Sequence, residues 1–228
     1  MPLSVVIPCL DEAAGIAAAL TALAPLRERG AEVIVVDGGS RDETVARARA
    51  LADCVIDAAR GRATQMNAGA AVARGDALLF LHADTVLPAD ADRHIATALS
   101  RQPLAWGRFD VRIVGEHPML AVIATLMNLR SRLSGIATGD QALFMTRAAF
   151  DAAGGFPALP LMEDVAMSRA LKRLAAPCCL RATVETSGRR WERHGVWRTM
   201  MLMWRLRLAY ALGADPRALA ARYAPHRP

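Results

Sequence analysis

Three groups of carboxylates stand where a folded α/β chain would present ligands. Asp37 closes the apolar run Glu32-Val33-Ile34-Val35-Val36. Asp84 follows the run Ala77-Leu78-Leu79-Phe80-Leu81, with His82 two residues before it. Glu163-Asp164 opens a helical stretch. An acid held just past the carboxyl end of a parallel strand lies where open α/β sheets bind ligands. Asp37 there suits accepting a hydrogen bond from a base or ribose. Asp84, a hard oxygen donor, suits magnesium or manganese held against a diphosphate, an ion that would neutralise charge on a leaving diphosphate. Asp164 suits taking a proton from an attacking hydroxyl. Each acid also has a structural role open to it. Asp37 can cap a turn, Asp84 can cap the helix that Pro88 begins, and Asp164 can simply favour a helix N-terminus. Placed together, the three suit an enzyme acting on a nucleotide sugar.

Such acids need a sheet to position them, and the residues between them describe one. Residues 3–8, 32–37, 54–56 and 76–85 read as strands, with helices over 12–26, 42–52 and 62–74 between them. The longer strands are apolar on both faces rather than alternating, which is the pattern of a buried parallel sheet, and the strand–helix rhythm implies right-handed crossovers. Beyond residue 98 the rhythm changes. Residues 105–114 alternate from Arg108 onward, which predicts a half-exposed strand. Further helices are predicted over 119–133, 147–153, 162–174, 196–212 and 216–221, and strands over 142–145 and 178–185. No repeat or low-complexity linker interrupts the chain. The expectation is a single folding unit, a catalytic α/β domain over residues 1–186 with a basic helical C-terminal extension over 187–228 packed on it.

Composition narrows the field. A chain of 228 residues, 54% apolar and 22% charged, can fill one large α/β core. No uncharged run is long enough to span a bilayer. The N-terminus has no basic region before its apolar run, and Asp11-Glu12 follow at once, so it reads as a first strand rather than a signal peptide. Cys9, Cys54, Cys178 and Cys179 form no C-x-x-C pair and read as reduced thiols of a cytoplasmic protein. The net charge is +6, yet residues 187–228 carry nine arginines against Glu192 and Asp215, a net of +7, which leaves −1 on the rest. The basic excess therefore belongs to the tail. It suits an anionic membrane surface or a diphosphate, or is a solvated face; no nucleic-acid partner is expected. In the 196–212 helix, Trp197, Trp204 and the arginines suit a peripheral position at the inner membrane face. Arg198 and Arg205 share a face there but Arg207 lies opposite, so packing against protein is expected. The chain has no G-x-G-x-x-G after its first strand, no G-x-x-x-x-G-K-[ST] and no G-x-S-x-G, which disfavours dinucleotide-binding dehydrogenases, P-loop enzymes and α/β-hydrolases.

Five segments in this order resemble family 2 glycosyltransferases over roughly residues 3–191. They are Ser4-Val5-Val6-Ile7-Pro8 with Asp11-Glu12, Val35-Val36-Asp37-Gly38-Gly39-Ser40-Arg41-Asp42-Glu43-Thr44, the run from Arg62 through Asn67-Ala68-Gly69-Ala70 to Arg74-Gly75-Asp76, His82-Ala83-Asp84-Thr85, and Gly154-Gly155-Phe156-Pro157 followed by Glu163-Asp164-Val165. The resemblance implies a GT-A fold, a mainly parallel sheet flanked by helices. It implies inverting transfer of a sugar from a UDP- or GDP-sugar to a small or lipidic acceptor hydroxyl, with Mn2+ or Mg2+ as cofactor. It also implies roles. Pro8, Glu12, Asp37, Arg62 and Asn67 would contact the donor nucleotide. Asp84 would bind metal and diphosphate. Asp164 would be the general base with Glu163 its neighbour. Gly139, Asp140, Gln141, Arg190 and Trp191 would line the acceptor side.

Two departures from the family pattern stand out. His82 replaces the first acid of the D-x-D motif; an imidazole there can ligate manganese as a second metal candidate, or stand by as a spectator. Ser187 replaces the glutamine of Q-x-x-R-W, which tells against a processive polymer synthase. The tail, Arg189-Arg190-Trp191-Glu192-Arg193 with Trp204-Arg205-Leu206-Arg207-Leu208, resembles a small subgroup labelled arsenosugar-biosynthesis-type or diaponeurosporenoate-type glycosyltransferase. Two rival readings are a sugar nucleotidyltransferase of similar fold and a non-catalytic relative that binds a membrane or partner. The acidic loop Cys9-Leu10-Asp11-Glu12 disfavours the first, and the retained acids disfavour the second.

Overall fold

The structure is a computed structural model that describes residues 1–223. Its strands are β1 (Leu3–Cys9), β2 (Glu32–Asp37), β3 (Cys54–Asp57), β4 (Ala77–Phe80), β5 (Thr85–Val86), β6 (Trp106–Val114), β7 (Leu143–Thr146) and β8 (Cys178–Ser187). They form one sheet in the order β3-β2-β1-β4-β7-β6-β8-β5. The first four are mutually parallel. β7 runs antiparallel to both β4 and β6, β6 and β8 are parallel, and β5 closes the edge antiparallel to β8. The sheet is thus mixed but mainly parallel.

Alternate residues of each central strand enter opposite cores, which is why the strands are apolar on both faces. Val5, Ile7, Val33, Val35 and Leu79 face a core closed by Ile16, Leu20 and Leu23 of the first helices and by Ile95 and Leu99. Val6, Ile34, Val36, Leu78 and Phe80 face the other, closed by Met66, Phe150, Met167 and Leu171. Each such aliphatic side chain contributes about 1.5–3 kcal/mol by leaving water. The helices that supply these lids are α1 (Ile16–Ala22), α2 (Ala24–Glu28), α3 (Thr44–Arg49), α4 (Arg62–Val72), α5 (Ala91–Leu99), α6 (Met119–Ser134), α7 (Arg147–Ala153) and α8 (Glu163–Leu174). α4 lies so close to the sheet that a Cβ on Gly69 would fall 2.4 Å from Val6 Cγ1.

The chain leaves β1 for β2 and β3 on one side, then returns to place β4 on the other side of β1. The loops after β1 and β4 therefore diverge and open a crevice at the strand carboxyl ends, the ligand position of such sheets. Glu12 and Asp84 sit on these two loops. Asp84 does not cap the next helix: β5 intervenes, and α5 begins only at Ala91.

The structure departs from the predicted elements at several points, and the strand predicted over 76–85 is shorter, Ala77–Phe80. The helix expected over 12–26 is two helices beginning at Ile16, because Asp11 adopts a left-handed φ of 53° and Pro25 opens a new helix after Leu23. β6 alternates as expected from Phe109 onward, with Phe109, Val111 and Ile113 buried and Arg112 and Val114 exposed, but Arg108 on it is fully buried. Arg108 departs from the alternation because it is paired rather than solvated: it meets Asp110, Ser131 Oγ and the Asn128 carbonyl, tying β6 to α6. The tail contributes three helices, α9 (Arg189–His194), α10 (Val196–Ala211) and α11 (Pro216–Tyr223), of which α9 was not expected. α10 and α11 pack Leu206, Leu219 and Tyr223 against Met162 and Val165 at the start of α8. Among the described residues, no helix is long and apolar enough to cross a membrane.

Candidate active site

At the crevice, α9 reaches back over the loops that follow β1 and β4. One guanidinium nitrogen of Arg189 lies 3.7 Å from Glu12 Oε2 and 3.7 Å from Asp84 Oδ2. Two half-buried carboxylates thus share one cation. Burial and then the charge of Asp84 push the Glu12 carboxyl above its ordinary value, and Arg189 and Arg62 oppose them. Arg62, at the first position of α4, is solvent-exposed at the cleft even though protein groups crowd around it. Burial opposes its charge, but Glu163, Tyr223, Asp140 and Asp164 outweigh that and hold it above its ordinary value.

Asp164 stands one residue into α8. Its Oδ2 accepts the Gly139 N–H at 2.9 Å and its Oδ1 accepts the Val165 N–H at 2.7 Å. A helix N-terminus ordinarily favours the anion. Here burial, then the adjacent Glu163 charge, win over both N–H bonds and push the carboxyl up to about 6. Asp140 shows the opposite balance. Burial raises it, but the bond and charge of His82, with Arg190 and Arg62, bring it down to about 2. Two neighbouring carboxylates are thereby divided into a proton acceptor and a permanent anion, the separation expected of an acid–base site.

His82 belongs to this second group. Its Nδ1 is 3.3 Å from Asp140 Oδ1, and its ring lies against Gly139, where a Cβ would come within 2.3 Å of Nε2. Among the described residues no three His, Cys, Asp or Glu side chains converge as a metal cage. The available donors are Asp84, with Glu12 across Arg189. That set fits a hard cation held by one or two carboxylates, with waters and substrate phosphates completing its shell.

Other expected site residues are engaged in building the scaffold. Asp37 is 3% exposed; its Oδ2 accepts the N–H groups of Gly39 and Ser40, both at 2.8 Å, and its Oδ1 accepts the Ser40 hydroxyl. Of the two roles open to Asp37 in the sequence, these bonds display the turn-building one. Asn67 gives its amide to the Phe156 carbonyl at 2.8 Å and accepts the Phe156 N–H at 2.9 Å, so both its groups bind α4 to the loop before α8. Pro8 is buried at the end of β1 beside Val36. Gln141 is fully buried, closes the short 3-10 turn at Gly139–Gln141 and reaches Asn128. Arg190 lies over the Tyr223 ring, 5.1 Å from its centroid, and Trp191 packs beside the buried Ile123 and Val196.

Sequence reasoning missed Arg189, Gln65 and Arg130. Gln65 donates to the carbonyls of Cys9 and Val36, both at 2.8 Å, and so joins the ends of β1 and β2 under the crevice. Its position two residues before Asn67 was the available signal. Nothing local marks Arg189 or Arg130, whose neighbours come from distant segments.

A mixed α/β sheet with an acid-lined crevice at the β1–β4 switch point is the frame of nucleotide-diphospho-sugar transferases, the GT-A fold. Residues 4–153 match the model of glycosyl transferase family 2, and the chain belongs to that family. The matched span ends before Asp164. Solved structures agree in fold. The mannosyltransferase PcManGT from Pyrobaculum calidifontis, in complex with GDP-Man and Mn2+, superposes with a TM-score of 0.67 at 20% identity, over 96% of this chain and 64% of its own. TarS from S. aureus gives 0.65 at 18% identity, over 83% of this chain and 61% of its own. Glucosyl-3-phosphoglycerate synthase from Mycobacterium tuberculosis, in complex with Mn2+, UDP and glucosyl-3-phosphoglycerate, gives 0.58 at 21% identity, over 80% of this chain and 70% of its own. The chain thus spans less than two thirds of the TarS and PcManGT chains. No curated protein sequence matches it.

Proposed function

We propose that this glycosyltransferase is inverting and non-processive, and moves a sugar from a UDP- or GDP-sugar to the hydroxyl of a small or lipidic acceptor. The observation that carries this reading is the division of charge in the cleft. Asp164 is a carboxylate raised to about 6, while Asp140 beside it is held near 2. A carboxyl of that strength is mostly ionised at neutral pH and is a stronger base than an ordinary aspartate, as removal of the acceptor proton requires. As a hydroxyl oxygen attacks the anomeric carbon, Asp164 takes its proton and the bond to the diphosphate breaks with its electron pair on the leaving oxygen.

Glu12, Arg62 and the loop shaped by Pro8, Asp37 and Gln65 would hold the nucleotide. Asp84 would hold Mn2+ or Mg2+, which supplies charge neutralisation for the leaving diphosphate when bound. Arg189 sits where it can meet that diphosphate. Asn67 positions α4 against the Gly154-Gly155-Phe156 loop. His82 orients Asp140 and the Gly139 backbone. Arg190 and Trp191 stand on the acceptor side. The relatives in complex with UDP-GlcNAc and with GDP-Man support a nucleotide-sugar donor of this class. The tail's likeness to the arsenosugar- or diaponeurosporenoate-type subgroup is part of the same proposal, as is treating residues 187–228 as an extension of a catalytic unit over 1–186.

Calorimetry with UDP and GDP, with and without Mn2+, tests the reading, followed by a mass-spectrometric screen of donor hydrolysis across nucleotide sugars. Binding of one nucleotide that strengthens with Mn2+, and slow hydrolysis of its sugar derivative, is the expected result. Absence of both overturns the proposal, and pyrophosphate release from a triphosphate would assign the nucleotidyltransferase reading instead.

A further inference from the structure

Two N–H groups hold the Asp164 carboxylate, and they come from different places. The Val165 N–H belongs to α8 itself, whereas the Gly139 N–H belongs to the loop between α6 and β7. The helix fixes the first bond. The second lasts only while the loop stays in place, so whatever holds the loop also decides how the base is held.

The start of the loop is tied to α8. Ser168, fully buried one turn beyond Asp164, accepts the Ala137 N–H at 3.1 Å and donates to the Ala137 carbonyl at 3.3 Å. The far end is tied to α6. Gln141, fully buried, accepts the Thr138 N–H at 3.3 Å through Oε1, and its Nε2 donates to Asn128 Oδ1 at 3.3 Å. Directly after Gln141 the backbone is strained: Ala142 is fully buried with a left-handed φ of 49°. A residue with a Cβ keeps such a conformation only where its surroundings impose it.

Asn128 is a fixed anchor for that end. Its Oδ1 accepts the Val111 N–H at 2.9 Å and its Nδ2 donates to the Val111 carbonyl at 3.0 Å. β6 pairs with β7 at Trp106 and Gly107, and at Val111 the Asn128 amide stands in for a strand. Because Val111 presents a donor and an acceptor together, it settles which end of the amide is oxygen. The second lone pair of Oδ1 is then left for Gln141. Arg108 pins the same turn of α6, donating to the Asn128 carbonyl at 3.2 Å and to Ser131 Oγ at 3.0 Å.

We propose that Asn128 and Gln141 are positioning residues for the base: they brace the 137–142 loop from α6 and so keep the Gly139 N–H on Asp164 Oδ2. This rests on the reading of Asp164 as the base, and it gives Gln141, expected on the acceptor side, a role beneath the site. An N–H bond to a carboxylate favours its charged form, and the Gly139 bond acts on Asp164 in that direction. A slackened loop should therefore raise Asp164 further. Its charged neighbours stay as they are: Glu163 beside it, Asp140 on the loop, Arg62 on α4, and Arg130 on α6, whose Nε and both Nη atoms are unpaired between α6 and α10.

The test labels the aspartate carboxyls of the whole chain with carbon-13 and titrates the Asp164 signal by NMR, the signal being identified by its loss in Asp164→Asn. The unaltered chain is compared with Gln141→Met, Asn128→Ala and the double variant. The two single changes cut the brace from different elements, and Gln141→Met nearly keeps the buried volume, so it stays folded if loss of the Val111 bonds unfolds Asn128→Ala. Each change should move the Asp164 inflection to higher pH. The double variant should move it no further than the larger single change, because both break one link. Nucleotide affinity, from calorimetry with UDP and GDP plus Mn2+, should be kept, while donor hydrolysis falls about tenfold to a hundredfold. An unmoved inflection in a folded variant, shifts that add in the double variant, or loss of nucleotide affinity in step with hydrolysis overturns the proposal. Missing nucleotide binding in the unaltered chain counts against the transferase reading alone, because the carboxyl titration is read without it.

Discussion

Gly139 donates its backbone N–H to Asp164 Oδ2 at 2.9 Å, linking the loop between α6 and β7 to the first turn of α8. The same glycine rests against the His82 ring on the strand-four loop, where any Cβ would come within 2.3 Å of Nε2. One backbone position therefore joins the two motifs, and only a residue without a side chain fits between them. Gly139→Ala should displace His82 or the loop. We expect a stability loss of about 1–3 kcal/mol from overpacking and a fall in kcat of about tenfold to a hundredfold as Asp164 shifts from its attack geometry. Thermal unfolding and single-turnover kinetics measure the two, and wild-type values in both would remove this contact from the account of the site.

The raised carboxyl of Asp164 sets a pH dependence. Its charge is disfavoured by burial and then by Glu163, so the base form is lost as pH falls through about 6. Turnover should rise with pH across that value and then level. Glu163→Gln removes the adjacent charge, so the inflection should move to lower pH. The linkage sign is opposite for folding: a carboxyl whose native value lies above its unfolded one is destabilising when ionised, so Asp164→Asn should not lower stability at neutral pH. The same variant should keep donor binding and lose transfer by about a hundredfold to ten-thousandfold. Loss of donor binding along with transfer would mark Asp164 as structural.

Arg189 occupies the space between Glu12 and Asp84, 3.7 Å from each. Removing it leaves two like charges facing one another, which a divalent cation would relieve. Arg189→Gln should therefore tighten Mn2+ binding by several-fold without nucleotide, and weaken nucleoside diphosphate binding by about tenfold, the worth of one charge-assisted hydrogen bond. Calorimetry of each ligand alone decides the matter. Unchanged affinity for both would show that Arg189 does not share the site.

Asn67 distinguishes a ligand contact from a brace. Both ends of its amide are bound to the Phe156 backbone. Asn67→Ala should cost about 1–3 kcal/mol by leaving that backbone unpaired, visible as a lower midpoint in urea with an unchanged slope, while nucleotide affinity at low denaturant is retained. A selective loss of nucleotide affinity with full stability would restore the contact role expected from sequence.

Much of the frame was legible without coordinates. Glu32–Asp37 is a strand over the residues predicted, and β1, α4, α6, α7 and α8 lie within a few residues of expectation, because hydrophobic period and turn residues are properties of neighbours in the chain. The acids at strand ends were visible for the same reason. Only the tertiary structure decided what those side chains do. Arg189 meets Glu12 and Asp84 because β4 returns beside β1 and α9 folds back over both loops. Asn67 meets a backbone 89 residues away. Asp37 turns inward to its own loop, and Arg108 is buried because a partner, Asp110, waits for it. Arg130 is left unpaired between two helices that the sequence shows only one at a time. Local periodicity determines which residues form an element and which face they offer. The strand order brings distant segments together, and only then is it decided whether a charge on that face is capped, paired or left for a ligand.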